Sequence, residues 1–226
     1  MKKTLLWILV CCCALQVSAQ KRPSIVGGSV GELKEENTEI LLPEPEYGSG
    51  LPLMEVLQRR ATSRSFLPES LTLQEISNIL WAANGVNRPQ LGLRTAPSAR
   101  NAQEIDIYVF IEKGVYLYNA EKHMLMPIEH KDFRRELSDQ KFFVDVPMVL
   151  AYVANFDKME KFSEEAKDFY SATDVGFVSQ NVYLYCASAK LSTVVCGMFE
   201  KELVKKVLKI KNGKPLLVQP VGRSAE

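Results

Sequence analysis

The chain has 226 residues, of which 46% are hydrophobic and 24% are charged, and its formal net charge is +1. This length and apolar content suit one globular domain with a sizeable core. The near-zero charge provides no global basic field, which excludes binding to nucleic acid through a broad cationic surface.

The first 19 residues are predicted to be a secretory signal peptide. Two lysines precede an apolar run at 5–15, and a small-residue cleavage site ends at Ala19 before Gln20. The run is too short for a stable membrane span. We therefore expect an exported protein, periplasmic or secreted, with lipoprotein anchoring at Cys11–Cys13 as a minor alternative.

Residues 20–50 predict a linker followed by an extended arm, because they carry Gly, Pro and charge but little periodicity. Ile40, Leu41 and Leu42 are the apolar exception, which suits an arm lying along the domain surface or along a partner subunit. The domain itself is expected to span residues 51–226.

Apolar periodicity and capping signals predict the elements of this domain. Thr72 and Glu75 form a capping box at the start of the second helix. The predicted helices cover 53–57, 72–85, 130–138, 166–190 and 199–208. The predicted strands cover 105–111, a hairpin over 114–128, 146–154, 193–195 and 216–221. This mixture has no steady βαβ repeat, so we expect an α+β fold with one sheet and helices packed around it.

Few residue types here suit catalysis by side chains. After cleavage two cysteines remain, Cys186 and Cys196, which we interpret as small buried hydrophobes rather than a disulfide. His123 and His130 lie in polar stretches and are interpreted as solvated. No metal site is expected, and no dinucleotide-binding fingerprint is present.

Two polar segments are the candidate site. Residues 59–66 carry Arg60 and Arg64, which share a face if helical, with Thr62 between them; such a cluster suits one phosphate. A solvated helix end is the alternative. Residues 97–103 form a turn of hydroxyl, amide and guanidinium groups, for which an ordinary loop before the 105–111 strand is the alternative.

Together these segments resemble the flavin-mononucleotide (FMN) cradle of the nitroreductase family. Aligned on Phe66, the family pattern places Arg60, Thr62 and Arg64 on flavin-contacting positions, with Thr62 in place of a serine. The resemblance implies that FMN carries the chemistry and that no side chain is itself the catalyst. It also implies a nitroreductase-like fold, a mixed, mainly antiparallel sheet flanked by helices, in a homodimer.

The turn resembles the family's Pro-Ser-x-x-Asn-x-Gln pattern, which reaches the flavin of the other subunit. Its matching residues are Pro97, Ser98, Asn101 and Gln103. The homodimer would therefore hold FMN at its interface.

Three further places extend the resemblance. Cys196 and Gly197 lie where the family presents backbone groups to the flavin N5 edge, and glycine permits close approach. Arg223 is a candidate second phosphate ligand. Gln140 and Lys141 are weaker candidates for the pyrimidine end of the ring. The arm and the 53–57 helix suggest the thiazoline/oxazoline-dehydrogenase-like branch.

The function expected from this resemblance is an exported FMN-dependent oxidoreductase. It would pass hydride from a donor such as NAD(P)H, through flavin N5, to an organic acceptor such as a nitroaromatic or quinone, by a ping-pong mechanism. The alternatives are a flavin-binding or scavenging protein without turnover and a relative without flavin that acts as an interaction module. Retention of Arg60, Arg64, Ser98 and Asn101 argues against the last.

Overall fold

The computed structural model describes residues 38–225. The predicted signal peptide at 1–19 and the linker as far as residue 37 lie outside the described residues. Within 38–225, no helix is both long and apolar enough to cross a bilayer.

An eight-stranded antiparallel sheet forms the centre of the domain, with spatial order β1-β7-β6-β5-β8-β10-β2 and with β9 also paired to β10. The strands β3 and β4 form a separate hairpin. In chain order the strands are β1 (Ile40–Leu41), β2 (Phe66–Leu67), β3 (Val86–Arg88), β4 (Leu93–Arg94), β5 (Ile105–Ile111), β6 (Gly114–Asn119), β7 (Met124–Glu129), β8 (Met148–Asn155), β9 (Leu191–Thr193) and β10 (Gly213–Ser224).

Both faces of the sheet are buried. Along β5, Ile105, Ile107 and Val109 enter one core, whereas Phe110 enters a second core on the opposite face. The central strand β8 is buried at every position but its last. A strand covered on both faces needs a helical layer on each side, and the helices supply it.

The four helices of the described chain are α1 (Leu53–Arg59), α2 (Leu73–Asn84), α3 (Glu164–Ala189) and α4 (Lys201–Leu208). The apolar faces of α2 and α3 cover one side of the sheet, and α4 covers the other. The predicted capping box is confirmed, since Thr72 Oγ1 accepts from the Glu75 N–H and the Glu75 carboxylate accepts from the Thr72 N–H. The predicted α+β class is likewise confirmed.

The helix predicted over 130–138 is wrong. One 3₁₀ turn, Arg134–Leu137, occupies this stretch. Asp132 accepts hydrogen bonds from the backbone N–H and the guanidinium of Arg134, which holds a turn instead of a helix. The same guanidinium donates to the carbonyls of Val146 and Pro147 and ties the turn to the start of β8.

The arm lies on its own domain, as β1 paired with β7. His123 helps to fix it and is therefore not a solvated side chain, contrary to the interpretation above. Its Nε2 lies 2.7 Å from Ser77 Oγ, and its Nδ1 lies 2.9 Å from the Tyr118 hydroxyl. Ser77 Oγ in turn donates to the Pro43 carbonyl, which links the arm to α2.

Candidate functional site

Residues 59–66, the arginine segment, leave the end of α1 and pass beside Tyr183 in the C-terminal half of α3. The Ser63 N–H donates to the Thr193 carbonyl at 3.0 Å, and Ser192 Oγ donates to Ser63 Oγ at 3.0 Å. Strand β9 therefore fixes the segment at its midpoint, with Thr62 and Arg64 exposed on either side.

Tyr183, on α3, is the second support of this segment. Its hydroxyl accepts the Val195 N–H at 2.9 Å and lies 3.1 Å from Thr62 Oγ1. The Arg60 guanidinium lies over its ring, 5.4 Å from the centroid. Val175, Val178 and Val182 form the buried apolar stripe of α3, and Tyr183 lies outside it. This position in the sequence indicates a role other than core packing.

Arg64 and Gln140 both lie near Cys196, in the turn that follows β9. Burial raises the pKa of the Cys196 thiol, while the positive charge of Arg64 and a hydrogen bond from Gln140 act in the opposite direction. Gln140 Nε2 also donates to the Met198 carbonyl at 3.2 Å. Of the two weaker candidates, Gln140 thus lies beside the turn, while Lys141 is exposed in the 3₁₀ helix Lys141–Val144.

Part of the backbone of this turn is already occupied. The Cys196 N–H donates to the Val218 carbonyl, and the Cys196 carbonyl accepts from the Val218 N–H. Within residues 38–225, the N–H groups of Gly197 and Met198 make no such backbone hydrogen bond. Both residues are exposed, and a Cβ at Gly197 would lie 3.9 Å from Leu217 Cδ2, an ordinary van der Waals contact. A backbone donor for a ligand therefore comes from Gly197 or Met198, while a contact from Cys196 would have to come from its side chain.

Arg223 lies beside the arginine segment, because β10 pairs with β2 and places Arg223 opposite Leu67. Its guanidinium makes a two-pronged ion pair with the Glu75 carboxylate, and its Nε lies 4.0 Å from Glu69. A contact between Arg223 and a phosphate remains a prediction. Such a contact would compete with the Glu75 ion pair.

The 97–103 turn is anchored elsewhere on α3. The Ala99 N–H donates to Asp174 Oδ2 at 2.8 Å, and the Gln103 N–H donates to Ser98 Oγ at 2.9 Å. The Gln103 side chain accepts from Arg94 and donates to Asn101 Oδ1 and to the Gly92 carbonyl. Pro97 and Asn101 are exposed at the tip.

The two candidate segments do not meet within one chain. Among the described residues, none of the hydrogen bonds, ion pairs or ring contacts joins 59–66 to 97–103. Their anchors on α3, Tyr183 and Asp174, are nine residues apart, which is about 14 Å along the helix and about 180° around it. The two anchors therefore hold the two segments against opposite faces of α3.

A cavity borders each segment. One of about 400 Å³ lies between the arginine segment, the end of α3 and β9, with Ser63, Tyr183 and Ser192 in its walls. Another of about 330 Å³ lies inward of the turn and is lined in part by Arg94 and Gln103. Within the described residues, no group of three or more His, Cys, Asp or Glu side chains is placed to hold a metal.

Replacing Tyr183 with Phe should destabilise the fold by about 1–2 kcal/mol, because the half-buried Val195 N–H loses its acceptor. Urea denaturation of the variant measures this. Tyr170→Phe, on the same helix, is the matched control and should stay within about 0.5 kcal/mol of the parent. Equal stability of both variants would show that the Tyr183 hydroxyl does not support the segment.

Comparisons with known proteins agree on one family. The model of the Nitroreductase family matches residues 56–223. A protein of Methanocaldococcus jannaschii, provisionally named a nitroreductase, is 37% identical over 198 residues, covering 83% of this chain and 98% of its own. A crystal structure from Ralstonia eutropha, with the same provisional name, superposes with a TM-score of 0.81 at 35% identity and covers 90% of this chain and 97% of its own.

A more distant likeness concerns the fold alone. A chain of the Escherichia coli microcin synthetase complex superposes with a TM-score of 0.65 at 20% identity, covering 92% of this chain and 85% of that one. The family match and the two closer relatives settle the assignment. The chain belongs to the nitroreductase family of flavin-dependent oxidoreductases.

Proposed function

We propose that the chain is an exported oxidoreductase that binds FMN between two copies of itself. The arginine segment of one subunit and the 97–103 turn of the other would form the site. The observation that carries the proposal is the position of these two segments on opposite faces of α3, with the exposed side chain of Arg64 on one and that of Asn101 on the other.

The residues present fit FMN. Arg60 and Arg64 supply cationic donors of the kind that bind a phosphate or an anionic ring edge. The N–H groups of Gly197 and Met198 are free of backbone partners within residues 38–225 and lie in the turn beside Arg64. Thr62 adds a hydroxyl held by Tyr183.

Bound FMN would supply hydride transfer at its N5 atom, a reaction for which the side chains at this site offer no substitute. The chain's own part is to bind and orient. Arg60 and Arg64 hold negative charge, Thr62 fixes a carbonyl or phosphate oxygen, and Ser98 and Asn101 of the second subunit close the site. Burial keeps the Cys196 thiol protonated at neutral pH, so it adds no negative charge there.

A donor such as NAD(P)H and an organic acceptor such as a nitroaromatic or quinone would occupy the same open face in turn, a ping-pong order. The thiazoline/oxazoline-dehydrogenase-like branch remains a prediction, since the likeness to the microcin synthetase chain extends to the fold alone.

Exposed apolar side chains support the homodimer. Leu53, Met54 and Leu57 face solvent on α1, and Phe169 and Phe177, eight residues apart, face solvent on α3. The helices α1 and α3 pack against each other. Exposed apolar side chains on two packed helices suit burial in an interface, and a second copy would bury them while bringing its 97–103 turn across.

Replacing Arg60 with Ala should weaken FMN binding by about 10- to 100-fold, the loss expected for one hydrogen bond to a charged group. Fluorescence quenching of FMN on titration measures this. Lys206→Ala is the control, because Lys206 is an exposed cation on α4, on the opposite face of the sheet from α3, and it should bind FMN within about twofold of the parent. Equal binding by both variants would remove Arg60 from the site.

A mixing experiment tests whether two subunits build each site. Arg60→Ala and Asn101→Ala homodimers should each bind FMN weakly, because every site carries one defect. After subunit exchange, a heterodimer places both defects in one site and leaves the other intact, so a quarter of all sites should regain tight binding. No recovery in exchanged dimers would mean that both residues act within one subunit.

Turnover separates an oxidoreductase from a flavin-binding protein. The holoprotein is mixed anaerobically with NADH or NADPH, and the flavin absorbance near 450 nm is followed, first alone and then with a quinone or nitroaromatic. Bleaching followed by recovery supports the oxidoreductase. A scavenging protein is favoured if neither NADH nor NADPH reduces the bound FMN, and if FMN reduced with dithionite is not reoxidised by the acceptor.

Export is proposed from the signal peptide predicted at 1–19. Expression of the full chain in a bacterial host, followed by fractionation and intact mass measurement, tests it. A periplasmic or secreted protein that begins at Gln20 supports cleavage after Ala19. An added diacylglycerol on a cysteine would favour the lipoprotein alternative, and a cytoplasmic full-length chain would contradict both.

A further inference from the structure

A buried carboxyl group lies directly behind the 97–103 turn. Glu104 is 0% exposed, and within the described part of the chain no N–H or hydroxyl group is placed to donate a hydrogen bond to either of its carboxyl oxygens. An ionised carboxylate without partners is costly to bury. The position therefore calls for a neutral carboxyl group or for a neighbour that shares a proton.

Asp174 is that neighbour. Its side chain on α3 is buried, and its Oδ2 accepts the Ala99 N–H at 2.8 Å. Burial raises the pKa of Glu104 to about 7; the charge of Asp174 and a hydrogen bond with it add to the effect, while the Glu104 backbone N–H and the charge of Lys158 oppose it.

The positive charge of Lys158 is already shared. Its Nζ lies 2.6 Å from Asp106 Oδ1 and donates to the Gln103 carbonyl at 3.1 Å. Asp106 thus neutralises the lysine that faces Glu104, and the lysine cannot serve as a full counter-ion for the Glu104–Asp174 pair.

We propose that Glu104 and Asp174 hold one proton between them and so position the 97–103 turn for the cofactor of the partner subunit. The Glu104 carboxyl group donates to Asp174, whose Oδ2 also accepts the Ala99 N–H. The proposal rests on the proposed function, since it concerns the same site, and both side chains are positioning residues.

The turn needs such an anchor because its backbone is strained. Arg100, Asn101 and Gln103 have φ angles of 52°, 55° and 50°, a left-handed conformation that costs free energy for residues other than glycine. Loss of the shared proton would place two negative charges together beneath the Ala99 anchor. The turn should then relax toward ordinary backbone angles and present Ser98 and Asn101 less well.

The test uses the mature chain, residues 20–226, as parent, Glu104→Gln and Glu112→Gln. A glutamine at 104 donates to Asp174 as the protonated acid would, at every pH. Glu112 is an exposed glutamate at the other end of β5 and serves as the control. Asp174→Asn is a second variant, since an asparagine can accept from Ala99 and donate to Glu104.

The first measurement is the melting temperature without FMN from pH 5 to 8.5. Because the pKa of Glu104 in the fold lies above its ordinary value near 4.5, its protonation stabilises the fold fully below pH 4.5, and this stability is lost as pH rises through about 7. Parent and Glu112→Gln should show this loss, and Glu104→Gln should not. Asp174→Asn should show a smaller loss than the parent, because burial still raises the pKa of Glu104 when the charge at 174 is removed. Equal pH slopes in Glu104→Gln and Glu112→Gln would overturn the shared proton.

The second measurement is the dissociation constant for FMN over the same pH range. In the parent and in Glu112→Gln it should rise by up to about tenfold per pH unit above pH 7, as expected for one coupled proton. The dissociation constant of Glu104→Gln should not show this rise with pH. A pH dependence equal in all variants would overturn the positioning role. If no variant binds FMN, the proposed function fails, while the melting temperatures still decide on the shared proton.

Discussion

The arrangement of the candidate site depends on the rotation of α3 about its own axis. Val175, Val178 and Val182 are buried against the sheet and fix that rotation. Once they are in place, Asp174 must face the 97–103 turn and Tyr183 must face the arginine segment. A regular helix cannot adjust one of these faces without turning the other. The separation of the two segments is therefore a property of the fold.

The parts of the fold that local patterns determine were predictable from the sequence. Alternation defined β5, and Thr72 with Glu75 defined the start of α2. The strand predicted at 193–195 lies instead at Leu191–Thr193, because β9 takes its register from β10. The two-residue strands β1 and β2 have no periodicity to detect, since their pairing partners alone make them strands. The 130–138 stretch failed because a short-range carboxylate–guanidinium contact at Asp132 outweighed its helical composition.

Within the candidate site, the sequence predicted which residue types are present. It did not predict which of their polar groups already have a partner in the fold. The two polar segments were identified, and the structure gives each an exposed, anchored position. What the sequence could not predict was which groups are already occupied. Arg223 is used by Glu75, which is 148 residues away along the chain, and the Cys196 N–H is used by Val218. No sequence pattern marked Glu104, because its proposed role depends on burial beside Asp174, which lies 70 residues later in the chain.

The place where the chain enters the domain determines which edge of the sheet an attachment would occupy. Strand β1 forms one edge of the sheet, and β2, which follows the arginine segment, forms the opposite edge. Six interstrand spacings separate them, or about 29 Å. The chain upstream of residue 38 therefore joins the domain at the edge remote from the arginine segment. An attachment made at residue 38 itself would leave that segment at the far edge of the sheet, where small molecules could approach it without passing the attachment point.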